Sequence, residues 1–413
     1  MPRPFPDRHH PLPLPAALVA LVLAVLTALL GPGATPARAA TLTEVTGFGS
    51  NPGNLQMFRY VPDGLPAGRP LVVALHGCTQ SAAGFYDDTG WNSWADRYGF
   101  ALLLPQQRSA NNATSCFNWF QSGDTARGQG EALSVKQMVD RMTADYGSDT
   151  ARVYVTGLSA GGAMTSALAA AYPDVFAGAA VVAGIPAGCA TSLLDAYTCM
   201  NPGRNLSAAQ WGDKVRAADP GYTGPRPVVS VWHGSADTTV APANMTELVE
   251  QWTDVHGTDA TPEVSDTVAG HPHRVYRDAA GRDVVETYSL TGMPHGQAVD
   301  PGTGADQCGI AGQYFPDVNL CASRRIAAFW GLAGTTDPGP DPDPDPDPEP
   351  TPACFTATNY AQVAAGRAHQ SLGFVYANGS NQAMGLYNIF TTHTLAETAP
   401  GYFELADAGC PPQ

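Results

Sequence analysis

The chain has 413 residues, 44% hydrophobic and 14% charged, with a formal net charge of −16 and eight cysteines. That composition excludes a disordered chain and supports one sizeable core with room for a small second unit. An acidic surface repels nucleic acid and anionic membranes, so neither is expected as a partner, and a neutral or insoluble substrate is.

At the N-terminus Arg3 and Arg8 precede the apolar run LPAALVALVLAVLTALL, and GPGATPARAA follows with Ala37 and Ala39 at the small-residue positions of a cleavage site. This predicts a signal peptide over 1–39 and a secreted, extracellular product. A retained membrane anchor is the competing reading, because the run is close to spanning length; Gly31, Pro32 and Gly33 speak against it. Cleavage removes three arginines and one aspartate and takes the charge to −18. In an exported chain an even number of cysteines reads as disulfides. Local spacing pairs Cys78 with Cys116, Cys189 with Cys199, Cys308 with Cys321 and Cys354 with Cys410. No metal and no cofactor are expected, since no C-x-x-C pair or His-rich cluster is present.

From residue 40 to 334 short β-branched runs alternate with helical ones, the pattern of an α/β unit with a mainly parallel sheet. The strands expected are RPLVVALHG, FALLLPQ, RVYVTG, AGAAVVAG, RPVVSVWHG and VVETYSLTG. Between the second and third, GEALSVKQMVDRMTADYG places Leu133, Val135, Met138, Val139 and Met142 at helical spacing, closed by Gly147; these are core positions.

The third strand runs straight into Gly157-Leu158-Ser159-Ala160-Gly161 and an alanine-rich helix. Gly-x-Ser-x-Gly arises by chance in a chain with 44 glycines, but strand, motif and helix together are the setting of a nucleophile elbow, with Ser159 held above the sheet. A serine hydroxyl needs a base, and the base an orienting carboxylate. In the α/β-hydrolase order of Ser, acid, His, the strand exits supply Asp237 from HGSADTTV and His295 from MPHGQ. His233 is read as structuring its loop and His256, His271 and His273 as surface residues; Asp254, Asp259 and Asp300 are rival candidates for the acid, though most aspartates in such loops are caps or turn formers, and Asp237 leads by its position after a strand. The N–H groups of Cys78, after the first strand, and Ala160, at the helix start, are candidate oxyanion donors. His76 is a positioning residue. Trp119, brought close by a Cys78–Cys116 bridge, either packs on an acyl chain or belongs to the core.

Residues 335–353 read TTDPGPDPDPDPDPEPTPA, whose alternating prolines force extended polyproline II. The span from Asp337 to Pro352 would cover roughly 50 Å. Residues 354–413 form a small β-rich, disulfide-closed module, with GFVYANGSNQAMGLYNIF as a hairpin turning at Asn378-Gly379. Arg367, His369, Tyr376, Tyr360, Phe374 and Tyr387 are its candidates for surface contact, although aromatics in so small a domain are expected mostly in its core.

Through LHGCTQSAAGF, NWF, GLSAGGAM, HGSADTTV and GMPHG, residues 45–333 resemble the extracellular polyhydroxybutyrate depolymerases of type 1 catalytic-domain order and the related secreted feruloyl esterases. The resemblance implies Ser159, Asp237 and His295 as a triad and Cys78 N–H as an oxyanion donor. The tail from CFTATNY to TTHTL resembles the substrate-binding module of the depolymerases, which implies a solid short-side-chain polyester as substrate. The competing expectations are a feruloyl or acetylxylan esterase with a carbohydrate-binding tail, and a non-catalytic adhesion protein.

Overall fold

All six runs read as strands above are strands, and they lie side by side. The computed structural model describes residues 1, 40–333, 353–371, 373–399 and 401–407. The expected leader and proline spacer fall on 2–39 and 334–352, outside the described residues, as does Cys410 and with it the Cys354–Cys410 bridge. The chain divides into two compact units, Met1–Val264 with Arg274–Arg324, and Ser265–His273 with Arg325–Gln413.

The larger sheet has ten strands: β1 Thr43–Val45, β2 Gln56–Tyr60, β3 Leu71–Leu75, β4 Ala101–Gln106, β5 Val153–Leu158, β6 Gly178–Val182, β7 Val228–Gly234, β8 Val264–Val268, β9 His271–Arg277 and β10 Asp283–Leu290. Their order is β1-β2-β4-β3-β5-β6-β7-β10-β9-β8. The six central strands, β4 to β10 in that order, are parallel. β3, β5 and β6 are buried at every position, as a sheet covered on both faces requires. Val135, Met138, Val139 and Met142 of the helix Gly130–Tyr146 enter the core beside them, while Leu133 is only partly buried. Gly147 ends that helix in the left-handed region at φ 62°, where glycine carries no Cβ penalty.

Four strands were not legible. β1 has three residues, and β2 pairs antiparallel to β4 through the mixed sequence QMFRY. β8 and β9 are polar strands at the far edge, and they correct the expected surface placement of two histidines. His271 is buried on β9, and His273 sits on the same strand with Nδ1 2.7 Å from Asp266. His256 is half-buried too, its Nε2 2.9 Å from Pro227 O. The bridges Cys78–Cys116, Cys189–Cys199 and Cys308–Cys321 form as spacing suggested.

The C-terminal part holds β11 Ala353–Thr358, β12 Ala368–Ser371, β13 Phe374–Ala377, β14 Ala383–Leu386, β15 Thr392–Ala399 and β16 Tyr402–Leu405, in two three-stranded sheets, β11-β15-β16 and β12-β13-β14. β13 and β14 form the expected hairpin, with residues 378–382 as its loop. The core consists of Ala368, Val375, Ala377, Met384, Leu395 and Phe403. Most aromatics point outward instead, which corrects the expectation that they fill the core: Tyr360, Phe374, Tyr387, Phe390 and Tyr402 are all exposed. Buried amides hold the unit where apolar bulk is scarce. Asn359 donates to Met384 O and Leu386 O, and Gln362 donates to Phe355 O and His393 O.

Candidate active site

β5 delivers the chain to Ser159 at φ 58°, ψ −116°, a conformation costly for any residue with a Cβ. Two backbone bonds hold it there, Ser159 N to Val182 O and Ala163 N to Ser159 O, both 2.9 Å. The flanking glycines serve close approach. A Cβ on Gly157 would lie 2.4 Å from Gly161 O, and one on Gly161 only 2.3 Å from Leu75 O. The helix Ala160–Ala171 begins at once, all twelve residues buried.

Asp237 follows β7 and is 4% exposed. Its Oδ1 accepts from Thr239 N and Val240 N, each at 2.9 Å, and its Oδ2 lies 2.7 Å from His295 Nδ1. Burial alone would push this carboxyl up; hydrogen bonds from His233 and His295 outweigh it and hold the group well below the usual carboxylate range. An ionised Asp237 keeps the proton of neutral His295 on Nδ1 and leaves Nε2 basic. His233 Nε2 lies 2.9 Å from Val240 O and 3.4 Å from Asp237 Oδ2, so this histidine braces the acid's loop.

The two loops are stitched together. Ser235 N donates to Leu290 O at 2.9 Å, Ala236 N to Met293 O at 3.1 Å and Gly292 N to Ser235 Oγ at 2.8 Å. A Cβ on Gly234 would lie 2.2 Å from Met293 O, so the glycine of His-Gly-Ser lets the histidine loop sit on the end of β7. The rival aspartates are engaged elsewhere: Asp254 with Arg216, Asp259 at Thr261 N and Asp300 with Gln307.

Beyond β3, His76 is fully buried and its Nε2 accepts from Gln107 N at 3.1 Å. The ring proton is therefore on Nδ1, which donates to Gly77 O at 2.7 Å. Burial lowers its pKa to about 4, so it stays neutral and positions the loop. Gly77 N donates to Gln80 Oε1 and Thr79 N to Thr114 O, both at 2.7 Å. The N–H of Cys78 lies between these two occupied donors, on a loop clamped by the bridge to Cys116. Buried Glu131 accepts from the segment that carries Cys116: from Asn118 N at 2.9 Å, from Asn118 Nδ2 at 2.8 Å and from Gln107 Nε2. Burial pushes the Glu131 carboxyl up to about 8 despite those bonds.

Ser159, His295, Gly77 and Cys78 line one cavity of about 310 Å³, together with Leu158, Thr114, Met200, Thr239 and Tyr314. Sequence reasoning missed Met200, Thr239 and Tyr314. Thr239 was within reach, two residues after Asp237, whereas Met200 arrives at the end of the helix Leu193–Met200 and Tyr314 on a loop, and no local pattern shows that either reaches the cavity. Trp119 is not among the lining residues; it packs against the core, edge-on to Phe120 at 5.6 Å, so the core alternative describes it. In the C-terminal part Arg367 lies 4.5 Å over the Phe355 ring and donates to Gln362, an internal role. His369 is exposed and stacks on Tyr376, ring centroids 5.8 Å apart.

This geometry can carry out acyl transfer through a serine. A family model described as "Esterase PHB depolymerase" matches residues 55–268. The chain belongs to this family. The matched segment contains Ser159 and Asp237, and similarity to individual members reaches further. The chain is 60% identical over 293 residues to poly(3-hydroxyalkanoate) depolymerase C of Paucimonas lemoignei, covering 71% of this chain and 70% of that one. Feruloyl esterase B of Talaromyces funiculosus is 36% identical over 280 residues, 66% of this chain and 78% of that one. Among solved structures, the acetyl xylan esterase from Aspergillus awamori superposes with a TM-score of 0.61 at 29% identity, over 71% of this chain and all of that one. No helix among the described residues is long and apolar enough to cross a membrane.

Proposed function

We propose that the protein is a secreted serine esterase that hydrolyses the ester bonds of poly(3-hydroxybutyrate) or a similar short-side-chain polyhydroxyalkanoate. The observation that carries the polyester reading is the 60% identity to the Paucimonas depolymerase, against 36% for the feruloyl esterase. His295 takes the proton of Ser159 as Oγ attacks the ester carbonyl, and Asp237 stabilises the imidazolium formed. The N–H groups of Cys78 and Ala160 receive the tetrahedral oxyanion. Collapse expels the alcohol end of the chain with the proton from His295; water activated by the same base then releases the hydroxy acid and frees Ser159.

In this reading residues 1–39 are the signal peptide, 40–334 the catalytic domain, 335–353 a spacer and 354–413 a module that grips the solid polymer. Exposed Tyr360, Phe374, Leu386, Tyr387, Ile389 and Phe390 support the last assignment. Phe374 pairs with Leu386 across the hairpin, and the Tyr360 and Tyr387 rings lie 5.6 Å apart, so these groups are neighbours.

Purified protein incubated with polymer granules tests the proposal. Soluble 3-hydroxy acid is expected from wild type and none from Ser159→Ala. Release of ferulate or acetate from xylan, with granules untouched, would transfer the assignment to the plant-polysaccharide esterases.

A further inference from the structure

The helix Leu193–Met200 is apolar on the side that faces out: Leu193 is 56% exposed, Leu194 80% and Tyr197 64%, while Ala196 and Cys199 are buried. At helical spacing Leu193, Tyr197 and Met200 stand in one row, with Leu194 beside it. Met200 lines the cavity of Ser159 and His295. Leu193, about 10 Å further along the axis at helical rise, lines with Phe120 a second cavity of about 560 Å³ whose other side chains, Asn111, Asn112, Asn118 and Gln121 among them, are polar and uncharged. The row therefore leads out of the active-site cavity.

This helix is held firmly, and from the catalytic side. Cys199 is bridged to Cys189, Asn244 Nδ2 donates to Cys199 O at 3.0 Å and Ala241 N to Met200 O at 2.7 Å. Asn201 Nδ2 donates to Thr238 O at 3.1 Å, in the loop that carries Asp237. The charge on the helix, Asp195, is engaged by Arg204 and Ser192. What remains on the outer row is an uncharged strip of apolar side chains on a chain whose net charge is −16.

We propose that Leu193, Tyr197 and Met200 form a track that binds the ester polymer beyond the scissile bond, so that the enzyme reads about two further repeat units at extended-chain dimensions. The proposal rests on the polyester reading above. An uncharged chain bearing methyl branches and carbonyl acceptors matches a strip with no charge to desolvate. The track also explains why a rigid anchor joins this helix to the Asp237 loop: a chain lying on the row enters the cavity at a set angle to Ser159 and His295.

The test compares full-length wild type with the double variant Leu193→Ser, Tyr197→Ser on two soluble substrates, p-nitrophenyl butyrate and the linear tetramer of 3-hydroxybutyrate. On the tetramer kcat/KM is expected to fall roughly tenfold through KM, the size of losing partly buried apolar contact. On the short ester it should stay within about twofold, which also shows that the variant folds. Tyr197→Phe, which keeps the ring, should behave as wild type on both. Equal loss on both substrates, or full activity on the tetramer, overturns the track. Full tetramer activity with a change from dimer to monomer on sizing would assign the row to a second copy of the chain. Wild type that leaves both substrates intact would overturn the esterase reading and the track with it.

Discussion

Asp237→Asn keeps the shape of the acid and removes its charge. The buried amide can no longer hold the His295 proton on Nδ1, and kcat on a soluble ester is expected to fall by about 10⁴ with the circular dichroism unchanged. A loss of less than about tenfold would show that another group orients His295. Much of this site could be read from the chain, because a nucleophile elbow announces itself through local sequence and Asp237 and His295 each follow a strong strand. Other residues of the cavity left no such trace: Met200 ends a helix one position after a bridged cysteine, and Tyr314 lies in a loop among glycines and prolines. The outward aromatics of the C-terminal part were not legible for a related reason. Composition reports how many apolar groups a small unit has, whereas the sheet pleat decides which face they take, and β13 sends Val375 inward and Phe374 outward.

The loop after β4 and the helix Gly130–Tyr146 meet at Glu131, and that contact has a pH signature. Burial raises the carboxyl from 4.5 to about 8, so the folded state holds this proton more tightly than the unfolded one. Its contribution to stability is complete below about pH 4.5 and is lost as the pH climbs through 8. The thermal midpoint of wild type should decline over that window, and Glu131→Gln, which has no proton to lose, should flatten the decline. A variant with the same slope would show that other groups set it. The parallel strands were legible as elements because they are buried on both faces and therefore continuous in hydrophobicity. β8 and β9 were not, since an edge hairpin with solvent on one side draws on Ser, Asp, His and Arg as readily as on valine.

For the whole molecule, deleting residues 337–413 removes the proposed spacer and gripping module and leaves the proposed triad of Ser159, Asp237 and His295 in place. Activity on polymer granules is expected to fall by one to two orders of magnitude, while kcat/KM on p-nitrophenyl butyrate changes less than about twofold. Equal losses would mean that the C-terminal part supports the catalytic unit itself. The backbone at Ser159 has a further consequence, which concerns how stable this protein could have been. A conformation at φ 58°, ψ −116° is natural for glycine alone. Ser159→Gly should therefore abolish turnover yet raise the unfolding free energy by about 1 kcal/mol, visible as a higher calorimetric midpoint. Serine would then be the less stable choice at this turn, and a library screened for thermostability alone would be drawn toward an inert enzyme at position 159.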